Sequence, residues 1–145
     1  EIGFVGYDQG AVSLPTKAEE AAELVNKACP DALAISVGNV HLRTSADTVI
    51  DRVALSAIEA VVNCPLVLHG ASGIKVEDRR WLATNTKVCK FNVGTELRQA
   101  FGASLRNVLT SNAQLFDRNQ ILSAVKPALI EQTKKVLKSI HARDA

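Results

Sequence analysis

The sequence has no methionine among its 145 residues, and it contains one tryptophan, one tyrosine and three cysteines. No apolar run approaches the roughly 20 residues of a membrane-spanning helix, and the first ten residues lack the pattern of a secretion signal. The cysteines form no CxxC pair and one is left unmatched, which argues against a disulfide framework and a thiolate metal site. We therefore expect a cytoplasmic protein with reduced core cysteines and no membrane partner.

The chain also lacks a strong net charge, because its 17 basic and 15 acidic residues nearly balance. The formal net charge is +2, acidic and basic residues are interspersed, and no basic block is interleaved with aromatic residues. This argues against nucleic acid as a partner. The 47% hydrophobic content is enough for the core of one domain. Because the chain lacks an initiator residue and opens directly on apolar IGFV, we expect it to be part of a longer polypeptide.

What the sequence does contain is an alternation of short apolar strands with helices. Hydrophobic spacing predicts strands over 1–5, 31–38, 65–70 and 88–94, and helices over 16–28, 49–62, 76–86 and 95–109. Thr16 and Glu19 have the spacing of a capping box at the first helix. A last helical region starts near Asn119, and Pro127 either kinks it or lies in the first turn of a fresh helix.

This alternation predicts an α/β fold of parallel strands covered by helices, because a parallel connection needs a crossover of that length. Four such units are half of the eight that close a barrel of about 250 residues. A doubly wound open sheet fits the alternation as well. Its dinucleotide-binding version is disfavoured because no GxGxxG follows a strand.

Side chains that can bind a metal or a substrate oxygen follow three successive predicted strands. His41 lies just past AISVG, His69 closes PLVL, and Asn92 lies near the end of VCKFNVG. The carboxyl ends of parallel strands share the working face of α/β folds. A single histidine there is more often structural, but two on successive strands favour a divalent ion such as zinc. A catalytic zinc site wants three protein ligands, of which two are visible.

Two small-residue turns on the same face are typical of anion binding. GASG, at 70–73, lets backbone N–H groups approach an anion, and GTE, at 94–96, places a hydroxyl at a helix N-terminus that favours phosphate. Barrels frequently bind phosphate in the loops after strands seven and eight, where these turns fall if the strands are the last four. Tight turns without a ligand are the structural alternative.

In this order, DALAISVGNVH, PLVLHGASGI and KFNVGTELRQAF resemble the second half of the class II, zinc-dependent ketose-bisphosphate aldolases, from Glu1 to about Ala142. The resemblance implies a TIM (β/α)8 barrel in which residues 1–145 supply strands five to eight of one domain. It also implies the N-terminal half of the barrel as a partner, and a homo-oligomer. The implied reaction is reversible cleavage of a phosphorylated ketose to dihydroxyacetone phosphate and an aldehyde, with Zn²⁺ or another divalent metal as Lewis acid.

Site residues follow from the same resemblance. His41 and His69 match metal ligands, and Glu1 matches a residue at an alternative metal position. Asn92 matches a residue in contact with the ketose, and Asp8 is left as the carboxylate for proton shuttling. The implied substrate and phosphate contacts are Gly70, Ala71, Ser72, Gly73, Asn92, Gly94 and Thr95.

Several positions depart from the family pattern. Leu42 replaces a usual glycine beside a monovalent-cation site, the acidic loop GGEED reads GYDQG, and Gly94 stands where aspartate is common. Ile130 stands where many members carry an arginine for the far phosphate. The first zinc histidine and the aspartate that protonates the leaving hydroxyl have no counterpart, so we expect the chain alone to be inactive. A non-catalytic phosphate-binding or assembly subunit, and a barrel enzyme with other phosphate chemistry, are the alternatives.

Overall fold

Three short strands form a parallel sheet in the order β1-β2-β3 in a computed structural model that describes residues 1–141. The strands are β1 (Leu33–Ile35), β2 (Leu66–Leu68) and β3 (Val88–Phe91). The β1–β2 register is continuous, whereas a shift between Leu66 and Val67 interrupts the pairing of β2 with β3. The predicted α/β class with parallel strands is confirmed.

Five α-helices accompany this sheet within residues 1–141. They are α1 (Ala18–Ala28), α2 (Arg52–Val61), α3 (Val76–Asn85), α4 (Thr95–Ser111) and α5 (Arg118–Ile140). Asp51 begins α2 and Asp117 begins α5, since each carboxylate accepts a hydrogen bond from a first-turn amide. Pro127 lies inside α5, so the alternative in which it opens a fresh helix is wrong.

Residues 1–5 do not form the strand predicted for them. Phe4 makes an isolated antiparallel bridge with Leu14, and the Ile2 amide donates a hydrogen bond to the Ala34 carbonyl at 3.1 Å. Gly3 has a φ of +79°, which interrupts an extended backbone. The segment therefore lies beside β1 without becoming a fourth strand.

Thr16 does not form the predicted capping box. Its buried hydroxyl donates to the Ile2 carbonyl at 2.7 Å and accepts from the Ser36 amide at 2.8 Å. Lys17 is the N-cap of α1 and makes no side-chain capping bond. Thr16 therefore ties the first segment to the end of β1, which sequence spacing alone could not distinguish from a cap.

The core lies between the sheet and the helices and is built mainly from fully buried aliphatic side chains. Its largest members are Leu33, Ile35, Leu55, Ile58, Leu66, Leu68, Ile74 and Leu82. The prediction of core cysteines is wrong for Cys29 and Cys89, which are exposed, whereas the half-buried Cys64 packs against the core. Within residues 1–141, no helix combines the length and hydropathy required to cross a membrane.

We predict that Thr16→Val lowers the free energy of unfolding by about 1–3 kcal/mol, because it leaves the Ile2 carbonyl and the Ser36 amide without their buried partner. Urea denaturation measures this loss. Glu19→Ala is the matched control, because it removes any capping-box bond from this side chain. Glu19 is exposed, and a surface change is expected to stay within about 0.5 kcal/mol. Equal losses of unfolding free energy in both variants would instead show that Thr16 and Glu19 act together as a capping box.

Candidate functional site

His41 and His69 meet at the carboxyl ends of β1 and β2. Their ring centroids are 5.5 Å apart and their planes are inclined at 77°. Zinc lies about 2.0–2.1 Å from each imidazole nitrogen, so two rings on one tetrahedral ion have centroids roughly 5 Å apart. The observed separation fits two ligands of one ion.

Asn39 fixes the backbone that carries these histidines, and the sequence analysis missed it. Its fully buried side chain accepts a hydrogen bond from the Val37 amide at 2.8 Å and donates to the Ile35 and His69 carbonyls at 3.3 and 3.0 Å. The end of β1 is thereby joined to the end of β2. The available signal was an amide side chain directly after Gly38, where a strand ends.

Burial lowers the pKa of His41 below 6.5, the neighbouring His69 lowers it further, and Glu1 partly opposes both effects. The neutral imidazole, which is the form that binds a metal, therefore persists to lower pH. Because the unfolded chain accepts the proton more readily, this contribution to stability is fully present above pH 6.5 and is lost as the pH falls from there through the lower pKa of His41 in the folded protein. Residues 1–141 contain no group of three histidine, cysteine or acidic side chains able to hold a metal, so Glu1 does not complete a site with the two histidines here.

A cavity of ≈ 420 Å³ is lined by His41 and by most of the residues predicted to contact substrate. Asn92 lines it, and the Asn92 Nδ2 lies 3.2 Å from both ring nitrogens of His69. The other predicted residues that line this cavity are His41, Gly70, Ser72, Gly94 and Thr95. Residues that follow all three strands therefore lie around one cavity.

The GASG turn forms a short 3-10 helix, Ala71–Gly73, whose own amides are largely engaged. The Ala71 amide donates to the Asn92 carbonyl and the Gly73 amide to the Gly70 carbonyl, each at 3.2 Å. Gly70 has a φ of +62°, and a Cβ there would lie 2.2 Å from the Val40 carbonyl oxygen. Backbone conformation and close packing therefore explain the glycine at position 70, in agreement with the alternative in which this tight turn needs no ligand.

Ser72 joins the two predicted anion-binding turns. Its hydroxyl accepts weak hydrogen bonds from the Gly94 amide at 3.3 Å and from the Glu96 amide at 3.4 Å, at the start of α4. Ser72, Gly94 and Thr95 line the cavity and form its polar wall, and the Glu96 amide lies behind the Ser72 hydroxyl. An anion bound there would compete for donors that are held only weakly.

Arg98 lines the same cavity and was also missed. Its guanidinium lies over Gly94, with Nη2 3.4 Å from the position that a Cβ at Gly94 would occupy. A cation is unfavourable near a helix N-terminus, so an arginine in this turn was a signal for a nearby anion.

Asp8 lies apart from this group. Its carboxylate pairs with Arg43 at 3.1 Å, and Arg43 also binds Asp47 at 2.7 Å. Asp8 and Arg43 line a second cavity of ≈ 330 Å³, and Asp8 is not among the described residues that line the cavity of Asn92. Leu42, next to His41, has a φ of +58°, a conformation that glycine adopts without strain. Ile130 lies partly exposed on α5.

Comparison with solved structures shows the same fold in three proteins. The YdjI aldolase from Escherichia coli K12 superposes with a TM-score of 0.66 at 26% identity, covering 88% of this chain and 45% of that one. A candidate fructose-1,6-biphosphate aldolase from Coccidioides immitis gives 0.70 at 24% identity, with coverage of 95% and 50%. Fructose-bisphosphate aldolase from Campylobacter jejuni gives 0.67 at 19% identity, with coverage of 88% and 45%. The chain spans about half the length of these proteins.

The family model described as Fructose-bisphosphate aldolase class-II matches residues 1–145, the whole of the sequence. The match agrees with the parallel α/β fold, with the solved structures that superpose on it, and with the order of the His41, His69 and Asn92 motifs. The chain belongs to the class II fructose-bisphosphate aldolase family.

Proposed function

We propose that residues 1–145 are the C-terminal half of a metal-dependent aldolase barrel that cleaves a phosphorylated ketose to dihydroxyacetone phosphate and an aldehyde. The observation that carries this proposal is the 5.5 Å separation of the His41 and His69 rings beside the cavity of Asn92 and Ser72. The activity belongs to the assembled barrel, because the described residues offer two metal ligands and a catalytic zinc site needs three.

The barrel assignment is supported by the strand order. The described strands are neighbours in the order in which the chain makes them, β1-β2-β3, without the reversal that marks the switch point of a doubly wound sheet. In this proposal β1, β2 and β3 are strands six to eight of one domain formed with residues 1–145, and residues 1–5 pair as strand five only once the N-terminal half of the barrel covers the open edges. A homo-oligomer of the completed barrel in the cytoplasm is part of the same proposal.

His41 and His69 would hold Zn²⁺ or another divalent ion through neutral ring nitrogens, with Glu1 available at an alternative position. When bound, the ion supplies a Lewis acid that polarises the ketone oxygen and stabilises negative charge on it. Asn39 keeps the His69 backbone in place, and Tyr7 stacks on His41 with ring centroids 5.2 Å apart. A monovalent cation near Leu42 is a further component of the proposal.

The substrate phosphate would bind at the wall formed by Ser72, Gly94 and Thr95 at the start of helix α4, where the Gly94 and Glu96 amides donate only weakly to the Ser72 hydroxyl. Gly70, Ala71 and Gly73 shape this wall. Asn92 lies between the phosphate subsite and His69, which suits it to orient an oxygen of the ketose. Arg98 adds a positive charge at the same end of the cavity.

Asp8 is the proposed proton carrier for the carbon next to the ketone. Its carboxylate is held by Arg43 outside the cavity, so the proposal requires this ion pair to open and the 7–10 loop to move toward Asn92. The altered acidic loop and Leu42 favour the second candidate function, a non-catalytic phosphate-binding or assembly subunit. Calorimetry with dihydroxyacetone phosphate, with and without zinc, separates the two, because the aldolase predicts that zinc tightens binding whereas the second predicts an affinity that is independent of zinc.

For the aldolase we predict that the assembled barrel cleaves a ketose phosphate, loses this activity on exhaustive chelation and regains it on addition of zinc. Removal of the metal removes the stabilisation of the developing oxyanion, which is worth several kcal/mol. A coupled assay of dihydroxyacetone phosphate release measures the rate. Full activity after chelation, verified by metal analysis, would contradict the proposal.

We also predict that Arg98→Gln weakens the binding of inorganic phosphate about fivefold, as expected for one partly exposed charge contact of about 1 kcal/mol. Arg106→Gln is the matched control. Arg106 lies over Gly102 on α4 as Arg98 lies over Gly94, with Nη1 3.4 Å from the Cβ position, but it does not line the cavity. Equal effects of the two substitutions would show that Arg98 acts only through net charge.

A further inference from the structure

Arg79, on α3, is a buried cation that no part of the proposed chemistry uses. Its side chain is 4% exposed and contacts three other segments of the fold. Its Nε donates to the Ile74 carbonyl at 2.9 Å, Nη2 to the Ser72 carbonyl at 3.0 Å, and Nη1 to the Ser139 hydroxyl on α5 at 3.2 Å. The guanidinium therefore holds the backbone carbonyls on both sides of Gly73.

The charge of Arg79 is balanced by Glu96 in the first turn of α4. The Arg79 Nη2 and the Glu96 Oε1 are 2.9 Å apart, and the other carboxylate oxygen accepts a hydrogen bond from Gln132 on α5 at 3.0 Å. Glu96 directly follows Thr95, and its amide is one of the two donors that reach the Ser72 hydroxyl. One ion pair thus connects the 72–74 backbone with the start of α4.

We infer that Arg79 is a positioning residue for the phosphate subsite. It fixes the Ser72 backbone and the first turn of α4 relative to each other, so that the Ser72 hydroxyl and the Gly94 and Glu96 amides face one anion. The inference rests on the proposed function of this site. A planar guanidinium can donate hydrogen bonds to two carbonyls and a hydroxyl while its charge faces the Glu96 carboxylate, whose Oε1 forms an ion pair with Arg79 and no hydrogen bond within residues 1–141. The three donors of a lysine ammonium diverge from one point and cannot reach all of these groups.

The contacts also predict which half of the site is independent of Arg79. The histidine backbone is fixed by Asn39 and by the hydrogen bond from the His41 amide to the Gly6 carbonyl at 2.7 Å. Neither contact involves Arg79 or Glu96. Loss of the guanidinium fork is therefore expected to loosen the phosphate wall and to leave the two imidazoles in place.

The test is Arg79→Lys in the purified protein, a change that keeps the charge opposite Glu96 and removes the fork. We expect the dissociation constant for inorganic phosphate to rise about fivefold to tenfold, as for the loss of one or two hydrogen bonds. We expect zinc affinity to stay within about twofold. Amide hydrogen exchange without any ligand should accelerate at Gly94 and Glu96 and remain unchanged at His41.

Arg52→Lys is the matched control. Like Arg79, Arg52 on α2 pairs with a carboxylate of another helix, that of Asp78 on α3 at 2.7 Å, but it lies outside the cavity. It should change neither phosphate affinity nor exchange at Gly94. Unchanged exchange at Gly94 and Glu96, or unchanged phosphate affinity, in Arg79→Lys would overturn the inference alone. Parallel losses of phosphate and zinc affinity in Arg79→Lys would show that Arg79 stabilises the fold in general and does not position the phosphate subsite. Wild-type protein that binds no phosphate would overturn the proposed site itself.

Discussion

Parallel pairing of three strands is the constraint on which the rest of this structure depends. Because β1, β2 and β3 run in the same direction, the residues that follow them emerge at one edge of the sheet. His69 and Asn92 follow their strands within one residue, and His41 is brought back to the same edge by a bridge with Tyr7. Side chains separated by more than 50 positions thus share one cavity.

The sequence predicted those features that depend on residues close together in the chain. The helices, the apolar strands and the polar residues after them follow from hydrophobic periodicity, and the family resemblance rests on the same segments. Thr16 and residues 1–5 were misread because their partners, Ser36 and Ala34, lie far along the chain. Asn39 and Arg79 were missed for the same reason, since a polar side chain reveals its buried partners only in the folded state.

Gly70 and Gly94 look alike in the sequence, but the structure gives different reasons for glycine at the two positions. Gly70 is required by a left-handed backbone and by the nearby Val40 carbonyl, whereas Gly94 has a negative φ and leaves space into which Arg98 extends. Sequence patterns alone grouped both as anion-binding glycines. The distinction shifts the proposed phosphate contacts toward Ser72, Thr95 and the first amides of α4, and it makes the Ser72 hydroxyl the link between the two turns.

The central claim is that His41 and His69 bind one divalent ion together. Titration of the metal-free protein with zinc, followed through the ring resonances of the two histidines by NMR, tests it most directly. The account predicts that both rings shift together and that the shifts are complete at one equivalent, with substitution of either histidine abolishing the response of the other. Shifts of only one ring, or independent saturation of the two, would contradict it.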